Sequence, residues 1–76
     1  MNPRAIKIDV AKDYTIHIVF ESGETKIFDF KPLLNFTIYR PLKDRSFFSS
    51  AFVKDGVIQW PSDIDLCPDR AYIDSN

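Results

Sequence analysis

Apolar and polar side chains alternate along much of the first twenty residues of the chain. Ile16 and Ile18, for example, lie on one side of this pattern, and His17 lies on the other. A period of two residues is typical of a β-strand that buries one face. Two segments, 4–10 and 14–20, show the pattern, and a third, 25–30, is rich in the β-branched and aromatic residues that favour strands. Because their connections are short, with Gly23 available for a tight turn, we predict an antiparallel meander of three strands.

A two-stranded unit is predicted nearer the C-terminus. Apolar runs at 51–54 and 57–60 flank Asp55 and Gly56, and Asp-Gly is a dipeptide that favours a tight hairpin. Pro61 ends the second run, because proline cannot donate a hydrogen bond to a strand ladder. The two runs therefore predict a β-hairpin of short strands.

Helical structure is predicted only in short pieces. The segment 31–50 has no sustained period, and its prolines suit the first position of isolated helical turns. A short C-terminal helix is predicted over 68–74, with Pro68 in its first turn and Asp69 near the positive end of its dipole. Together with the strands, these pieces predict a single small α+β domain over 1–76. Its predicted core includes Ile6, Ile8, Ile16, Ile18, Phe28 and Trp60.

Composition narrows the class of protein. Apolar residues make up 45% of the chain and the net charge is −1, which excludes an intrinsically disordered chain. The single cysteine excludes a disulfide scaffold and agrees with a reducing compartment. The sequence contains no apolar run of about 18 residues. We therefore expect no membrane span and a cytoplasmic location.

The size and charge of the chain bear on its partners. A chain of 76 residues buries only ~60% of its unfolded surface, so a second copy or a protein partner would add to a small core. The sequence has no dense basic stripe, and we expect this domain alone not to bind nucleic acid. Open strand edges favour pairing with another chain. We therefore predict a homodimer, or a complex with a protein partner.

Aspartates are concentrated toward the end of the chain. Clustered carboxylates are the ligands that Mg²⁺ and Ca²⁺ prefer, so a small metal-dependent enzyme that uses them is one alternative. The glycine and distal glutamate of a calcium-binding loop are missing from this segment. We favour a structural role, in which Asp65 or Asp69 caps the terminal helix, and expect no metal or cofactor. The four aspartates are Asp63, Asp65, Asp69 and Asp74.

Two further side chains carry potential chemistry. His17 lies on the opposite strand face from Ile16 and Ile18, and a catalytic role would require a carboxylate and a nucleophile nearby. We expect a surface or interface histidine. Cys67 has no second cysteine with which to form a CxxC motif, and we expect a semi-buried structural thiol. Neither residue is assigned a catalytic role.

Aromatic residues are numerous for so small a core, with seven phenylalanines, three tyrosines and one tryptophan. Trp60 is expected to anchor the core, although tryptophan is also enriched at protein interfaces. Aromatic side chains beside prolines make rigid contacts that lose little entropy on binding. The candidate partner surface consists of Trp60, Pro61, Asp65 and Tyr72.

Several short motifs together resemble a known family. In chain order they are Asp13-Tyr14-Thr15, Phe20-Glu21-Ser22-Gly23-Glu24, Phe28-Asp29-Phe30, Pro32-Leu33-Leu34, Leu42-Lys43-Asp44, Trp60-Pro61, Asp65-Leu66, Pro68 and Tyr72. The set resembles the bacterial family named domain of unknown function 2442, and the resemblance covers nearly the whole chain. The tail is its most specific part. One departure is Ser62-Asp63, where the family usually has Asn-Gly.

The resemblance implies a small α+β domain that occurs alone or ahead of a helix-turn-helix DNA-binding domain. It also implies a gene that lies beside another small family, in arrangements that look like toxin–antitoxin pairs. The family provides no established catalytic residue. We therefore expect a non-catalytic protein-interaction or regulatory module, in the role of an antitoxin-like partner of a small protein encoded nearby. The alternatives are a small DNA-binding regulator and the metal-dependent enzyme described above.

Overall fold

Two antiparallel sheets of three strands each make up the fold in the computed structural model, which describes residues 2–75. The first sheet contains, in order, β1 (Ala5–Val10), β2 (Thr15–Phe20) and β3 (Thr25–Asp29). The second contains, in order, β4 (Phe52–Lys54), β5 (Val57–Trp60) and β6 (Ile64–Leu66). The predicted α+β class is confirmed, and so are the predicted meander and hairpin.

Short helical segments connect the two sheets and follow the second one. Two 3₁₀ segments, Lys31–Leu33 and Thr37–Lys43, precede α1 (Arg45–Phe48), and α2 (Pro68–Ile73) lies near the C-terminus. The side chain of Asp44 caps α1, because it accepts a hydrogen bond from the backbone N–H of Ser46 at 2.9 Å. No helix within residues 2–75 has the length and apolar character needed to cross a lipid bilayer.

The strand β6 is the one strand that the sequence pattern does not predict. It pairs with β5 in the register Ile58 to Leu66 and Trp60 to Ile64. The tight turn before it has positive φ angles at Ser62 and Asp63, of 71° and 62°. Glycine or asparagine usually marks such a turn. Because neither residue type occurs there, and the strand has only three residues, no local signal separates it from a loop.

A β-bulge corrects one predicted core residue. The pairing of β1 with β2 shifts between Ala5, which lies opposite Phe20, and Lys7, which lies opposite Val19. Ile6 is the extra residue and is 61% exposed, whereas Ala5 is buried. A one-residue shift moves side chains to the other face of a strand, so the prediction for Ile6 was wrong.

The other predicted core residues pack inward. Ile8 is half-buried and packs against the core. The remaining four, which are buried as predicted, are Ile16, Ile18, Phe28 and Trp60. The first three show that the two-residue alternation holds along β2 and β3, where no bulge interrupts the register.

The centre of the core joins the two sheets to α1. The ring of Phe30, directly after β3, lies 5.4 Å from Trp60 of β5 and 5.6 Å from Phe48 of α1, between ring centroids. The indole Nε1 of Trp60 donates a hydrogen bond to the carbonyl oxygen of Phe48 at 2.9 Å. This bond satisfies the one polar group that burial of a tryptophan removes from water.

A second connection between the sheets lies at the β4–β5 hairpin. Asp55 and Gly56 both have positive φ angles, as the predicted hairpin turn requires. The guanidinium Nη1 of Arg4 donates to the carbonyl oxygen of Asp55 at 3.0 Å. The stem of Arg4 lies against Gly56 so closely that a Cβ atom there would be 2.7 Å from the Arg4 Cδ atom. Gly56 therefore provides both the turn and the space for Arg4.

Candidate functional site

The structure places the four residues of the predicted partner surface at different depths. Trp60 is only 1% exposed, so its ring is a core anchor and offers no area to a partner. Pro61 and Asp65 are exposed, and Tyr72 is half-buried. Trp60 therefore leaves this surface, because its strand position points it into the core between two buried rings. The role of the other three in binding stays a prediction.

Tyr72 connects the tail to the β2–β3 turn. Its hydroxyl donates a hydrogen bond to Oε1 of Glu24 at 2.8 Å, and its ring meets Phe20 edge-on at 5.1 Å between centroids. The ammonium group of Lys26 lies 3.8 Å from the centre of the same ring. Nζ of Lys26 also donates to the backbone carbonyl of Tyr72 at 3.3 Å. These contacts fix α2 against the first sheet.

The hydrogen bond between Tyr72 and Glu24 shifts the pKa of both groups. The bond from Tyr72, followed by one from the Ser22 hydroxyl, lowers the pKa of Glu24, because both bonds favour the ionised carboxylate. The pKa of Tyr72 is raised, chiefly because its proton is held by the same carboxylate. The two side chains are hydrogen-bonded to each other at the protein surface, so we assign the pair a structural role.

The tail aspartates do not cap the terminal helix. Cys67 occupies the N-cap position of α2, and no side-chain hydrogen bond caps the helix there. Oδ1 of Asp69 instead accepts a bond from Asn2 at 3.3 Å, and Asp74 lies 3.6 Å from Nε of Arg70. The prediction that Asp65 or Asp69 caps the helix was therefore wrong. Within residues 2–75, no three acidic, histidine or cysteine side chains are grouped so that they could hold a metal ion.

Cys67 is exposed, which corrects the expectation of a semi-buried thiol. The cause is the alternation of β6, which continues past its last residue. Ile64 and Leu66 are buried, Asp65 is exposed, and Cys67 follows on the exposed side. The thiol therefore faces away from the core.

A depression lies elsewhere, on the face of the meander that points away from the core. We call this the outer face, and its side chains come from alternate positions of the three strands. The depression has a volume of about 390 Å³. Ile27 lies opposite His17 in the β2–β3 register. The outer face consists of Lys7, Asp9, Thr15, His17, Val19, Thr25, Ile27 and Asp29. The depression is lined by Lys7, Ile8, Asp9, His17 and Val19.

The outer face combines aliphatic and charged groups. Ile27 is exposed and Val19 is half-buried, and Asp9 is the cross-strand neighbour of His17 in β1. His17 is exposed, in agreement with its predicted position at the surface. An imidazole beside a carboxylate can donate and accept hydrogen bonds, so the arrangement suits recognition. The sequence gives one signal for this site. Two aliphatic residues, Val19 and Ile27, occupy positions that alternation assigns to the outward side of the strands.

Comparison with known proteins identifies a family. The family model of the proteins of unknown function designated DUF2442 matches residues 5–72, a range from the start of β1 into α2. Neither the curated proteins nor the solved structures contain a significant match to this chain. The matched range includes both sheets and all the motifs on which the sequence resemblance depends. The chain therefore belongs to the DUF2442 family of proteins of unknown function.

Proposed function

We propose that this domain is a non-catalytic protein-interaction module whose partner binds the outer face of the meander. The observation that carries this proposal is the exposure of Ile27 at the middle of that face, where 44% of the residue is open to solvent. Its cross-strand neighbour is His17, and Val19 lies further along β2. The adjacent depression can receive a side chain of the partner.

The composition of the outer face supports recognition of a protein. Aliphatic side chains lie near its centre, and Lys7, Asp9 and Asp29 lie around them. An apolar centre with a charged rim is the usual arrangement of a protein–protein interface. Because carboxylates are part of the rim, a polyanion such as DNA would meet repulsion as well as attraction there.

The partner that we propose is a small protein encoded beside this chain, with the domain as its regulatory, antitoxin-like counterpart. Support for this part of the proposal comes from family membership, because members of the family are expected to lie next to genes of another small family. Because the outer face has an aliphatic centre and a charged rim, we expect the partner to present an aliphatic side chain flanked by charged groups.

The test is binding of the purified product of the adjacent gene, measured by isothermal titration calorimetry. A double variant, His17→Ala with Ile27→Ala, removes two side chains at the centre of the outer face. We expect its affinity to fall tenfold or more, since central interface residues typically contribute ~1 kcal/mol or more each. The matched control is Phe36→Ala with Ile38→Ala, which removes exposed apolar area at the start of the second 3₁₀ segment, where Phe36 is the N-cap, and should leave the affinity unchanged.

A third variant, Asp65→Ala, tests the tail surface of Pro61, Asp65 and Tyr72. Loss of binding in this variant alone would move the interface from the outer face to the tail. Failure of the wild-type protein to bind the adjacent gene product would overturn the proposed partner. A shift of duplex DNA at physiological salt, or Mg²⁺-dependent hydrolysis that Asp65→Ala abolishes, would replace the proposed function with the DNA-binding or the enzymatic alternative.

A further inference from the structure

The strand β3 forms a free edge of the first sheet, because β2 lies between it and β1. Its pairing with β2 determines which of its backbone groups remain unused. Hydrogen bonds join the Phe20 N–H to the Glu24 carbonyl at one end, and the Phe30 N–H to the Tyr14 carbonyl at the other. In an antiparallel ladder, bonded positions alternate with positions that point the other way. The backbone groups of Thr25, Ile27 and Asp29 therefore point away from β2.

These outward groups have no backbone partner among the described residues 2–75. The edge is also regular: the register between β2 and β3 contains no bulge, and β3 contains neither proline nor glycine. By contrast, the other edge strand, β1, contains the bulge at Ile6 and lies beside β4. Bulges and prolines are among the usual protections of an edge strand. β3 has neither, and Thr25, Ile27 and Asp29 are exposed.

Charge does not protect the edge either. The lysine within β3 is Lys26, and its ammonium group lies over the ring of Tyr72, at 3.8 Å from the ring centre. The side chain is half-buried there and bound to the Tyr72 carbonyl. A lysine that is held against α2 cannot repel a strand that approaches the edge.

We propose that two copies of this chain pair through β3, in antiparallel orientation about a twofold axis at Ile27, to form a continuous six-stranded sheet. In this register Ile27 faces Ile27 of the second copy, and Thr25 faces Asp29. The outward positions would exchange about six N–H···O bonds across the axis. A twofold interface of this kind uses the same surface on both copies.

The sequence of β3 is complementary to itself in this register. Opposed isoleucines are β-branched residues that pair well across strands. A threonine hydroxyl opposite a carboxylate can donate a hydrogen bond to it. The strand also begins beside Glu24 and ends beside Lys31, so antiparallel pairing brings the acidic end of one copy near the basic end of the other. No like charges face each other along the ladder.

The pairing has a consequence for the outer face. Because the axis is perpendicular to the sheet, the outer faces of both copies lie on the same side. The exposed Ile27 side chains then form an apolar pair at the centre of a surface twice as large. The pairing is independent of the proposed partner, since it involves only two copies of this chain.

Analytical ultracentrifugation of wild type and of Thr25→Pro tests the proposal. We expect the wild-type mass to rise from one chain toward two as the concentration increases. Proline at position 25 removes an outward N–H without breaking a bond to β2, so its dimer should dissociate roughly tenfold or more readily. Thr25→Ala keeps the N–H and should dimerise within threefold or so of wild type.

Crosslinking provides a second measurement, which does not depend on whether the protein folds with proline at position 25. In a Cys67→Ser background, Ile27→Cys places two thiols at the twofold axis, where Cα atoms of a bonded pair are ~5.5 Å apart, a separation that a disulfide can span. We expect covalent dimers at dilute concentration. Ile38→Cys, at a position that is also exposed, should form no covalent dimer.

Two results would overturn the proposal. One is a mass of a single chain at every concentration, with no more crosslinking at position 27 than at position 38. The other is a dimer that crosslinks no better at position 27 and whose stability Thr25→Pro does not change, which would place the interface on another surface of the protein.

Discussion

Two adjacent residues in the turn between β5 and β6 have a backbone conformation that L-residues rarely adopt. Ser62 and Asp63 have φ angles of 71° and 62°, and they lie in a three-residue connection between the paired residues Trp60 and Ile64. The left-handed region costs an L-residue roughly 1–2 kcal/mol, less for aspartate, whose side chain can bond locally. A glycine in this turn would avoid that strain.

Replacing Asp63 with glycine should stabilise the protein. Glycine reaches positive φ without a steric penalty, although its greater freedom in the unfolded chain offsets part of the gain. We expect Asp63→Gly to raise the free energy of unfolding by about 0.5 kcal/mol or more, measured by urea denaturation. Asp65→Gly, within β6, is the control and should lower it by about 0.5–1 kcal/mol. Equal stabilities of Asp63→Gly and wild type would show that the turn is unstrained.

At the scale of the element, α2 depends on tertiary contacts. It has only six residues, and helices this short are unstable by themselves in water. No side-chain hydrogen bond caps its N-terminus. Its attachment to the first sheet uses the Tyr72–Glu24 hydrogen bond and the position of Lys26 over the Tyr72 ring. Protonation of Glu24 should therefore loosen the tail.

The sign of the pH dependence follows from the two pKa shifts. The pKa of Glu24 is lowered in the folded protein, so its contribution is present at neutral pH and is lost as the pH falls below about 4.5 and through the lowered pKa. The pKa of Tyr72 is raised, so its contribution is present below about pH 10 and is lost as the pH rises further.

Urea denaturation at several pH values tests this assignment. We expect Glu24→Gln to be less stable than wild type at pH 7, and the difference to shrink as the pH falls from 5 to about 3. Tyr72→Phe removes the donor and should show the same convergence in acid. It should also lack the extra loss of stability that wild type shows above about pH 10. A constant difference between wild type and Glu24→Gln across the acid range would contradict the assignment.

Strands that pair with a strand near them in sequence are predicted well, because turn residues and alternation are local features of the sequence. Asp55 and Gly56 specify their hairpin, and the alternation around Ile16 specifies the buried face of β2. Ile6 was assigned wrongly, because a bulge depends on how two strands fit together and leaves no mark in a single strand. Alternation assigns Ile27 to the outward face, but whether another element covers that face depends on the complete fold.

At the scale of the whole molecule, one ring joins the separate parts of the core. Phe30 is fully buried and lies within 6 Å of four other aromatic rings, between centroids. These rings come from the first sheet, the second 3₁₀ segment, α1 and the second sheet. Phe30 therefore contributes to the packing of both sheets, in addition to the connection that Arg4 makes at the β4–β5 hairpin.

Loss of this ring should unfold both sheets together. Removing a buried phenylalanine side chain costs about 3–5 kcal/mol, which is comparable to the total stability expected of a domain this small. We expect Phe30→Ala to be largely unfolded at 37 °C by circular dichroism. Phe36→Ala removes a ring that is 49% exposed, and it should cost less than ~1 kcal/mol. Retention of the first sheet in Phe30→Ala, seen as slow amide exchange in β2, would show that the sheets fold independently.

The burial of Trp60 makes the unmodified protein its own optical probe. It is the one tryptophan in the chain, and its indole lies in the core beside Phe30 and Phe48. Indole fluorescence shifts to longer wavelength when water reaches the ring, so the emission would follow the opening of the contact between the sheets. Cys67, the one cysteine, is exposed at the start of α2. A dye on that thiol would accept energy from the indole, so separation of the tail from the core would appear as a change in energy transfer.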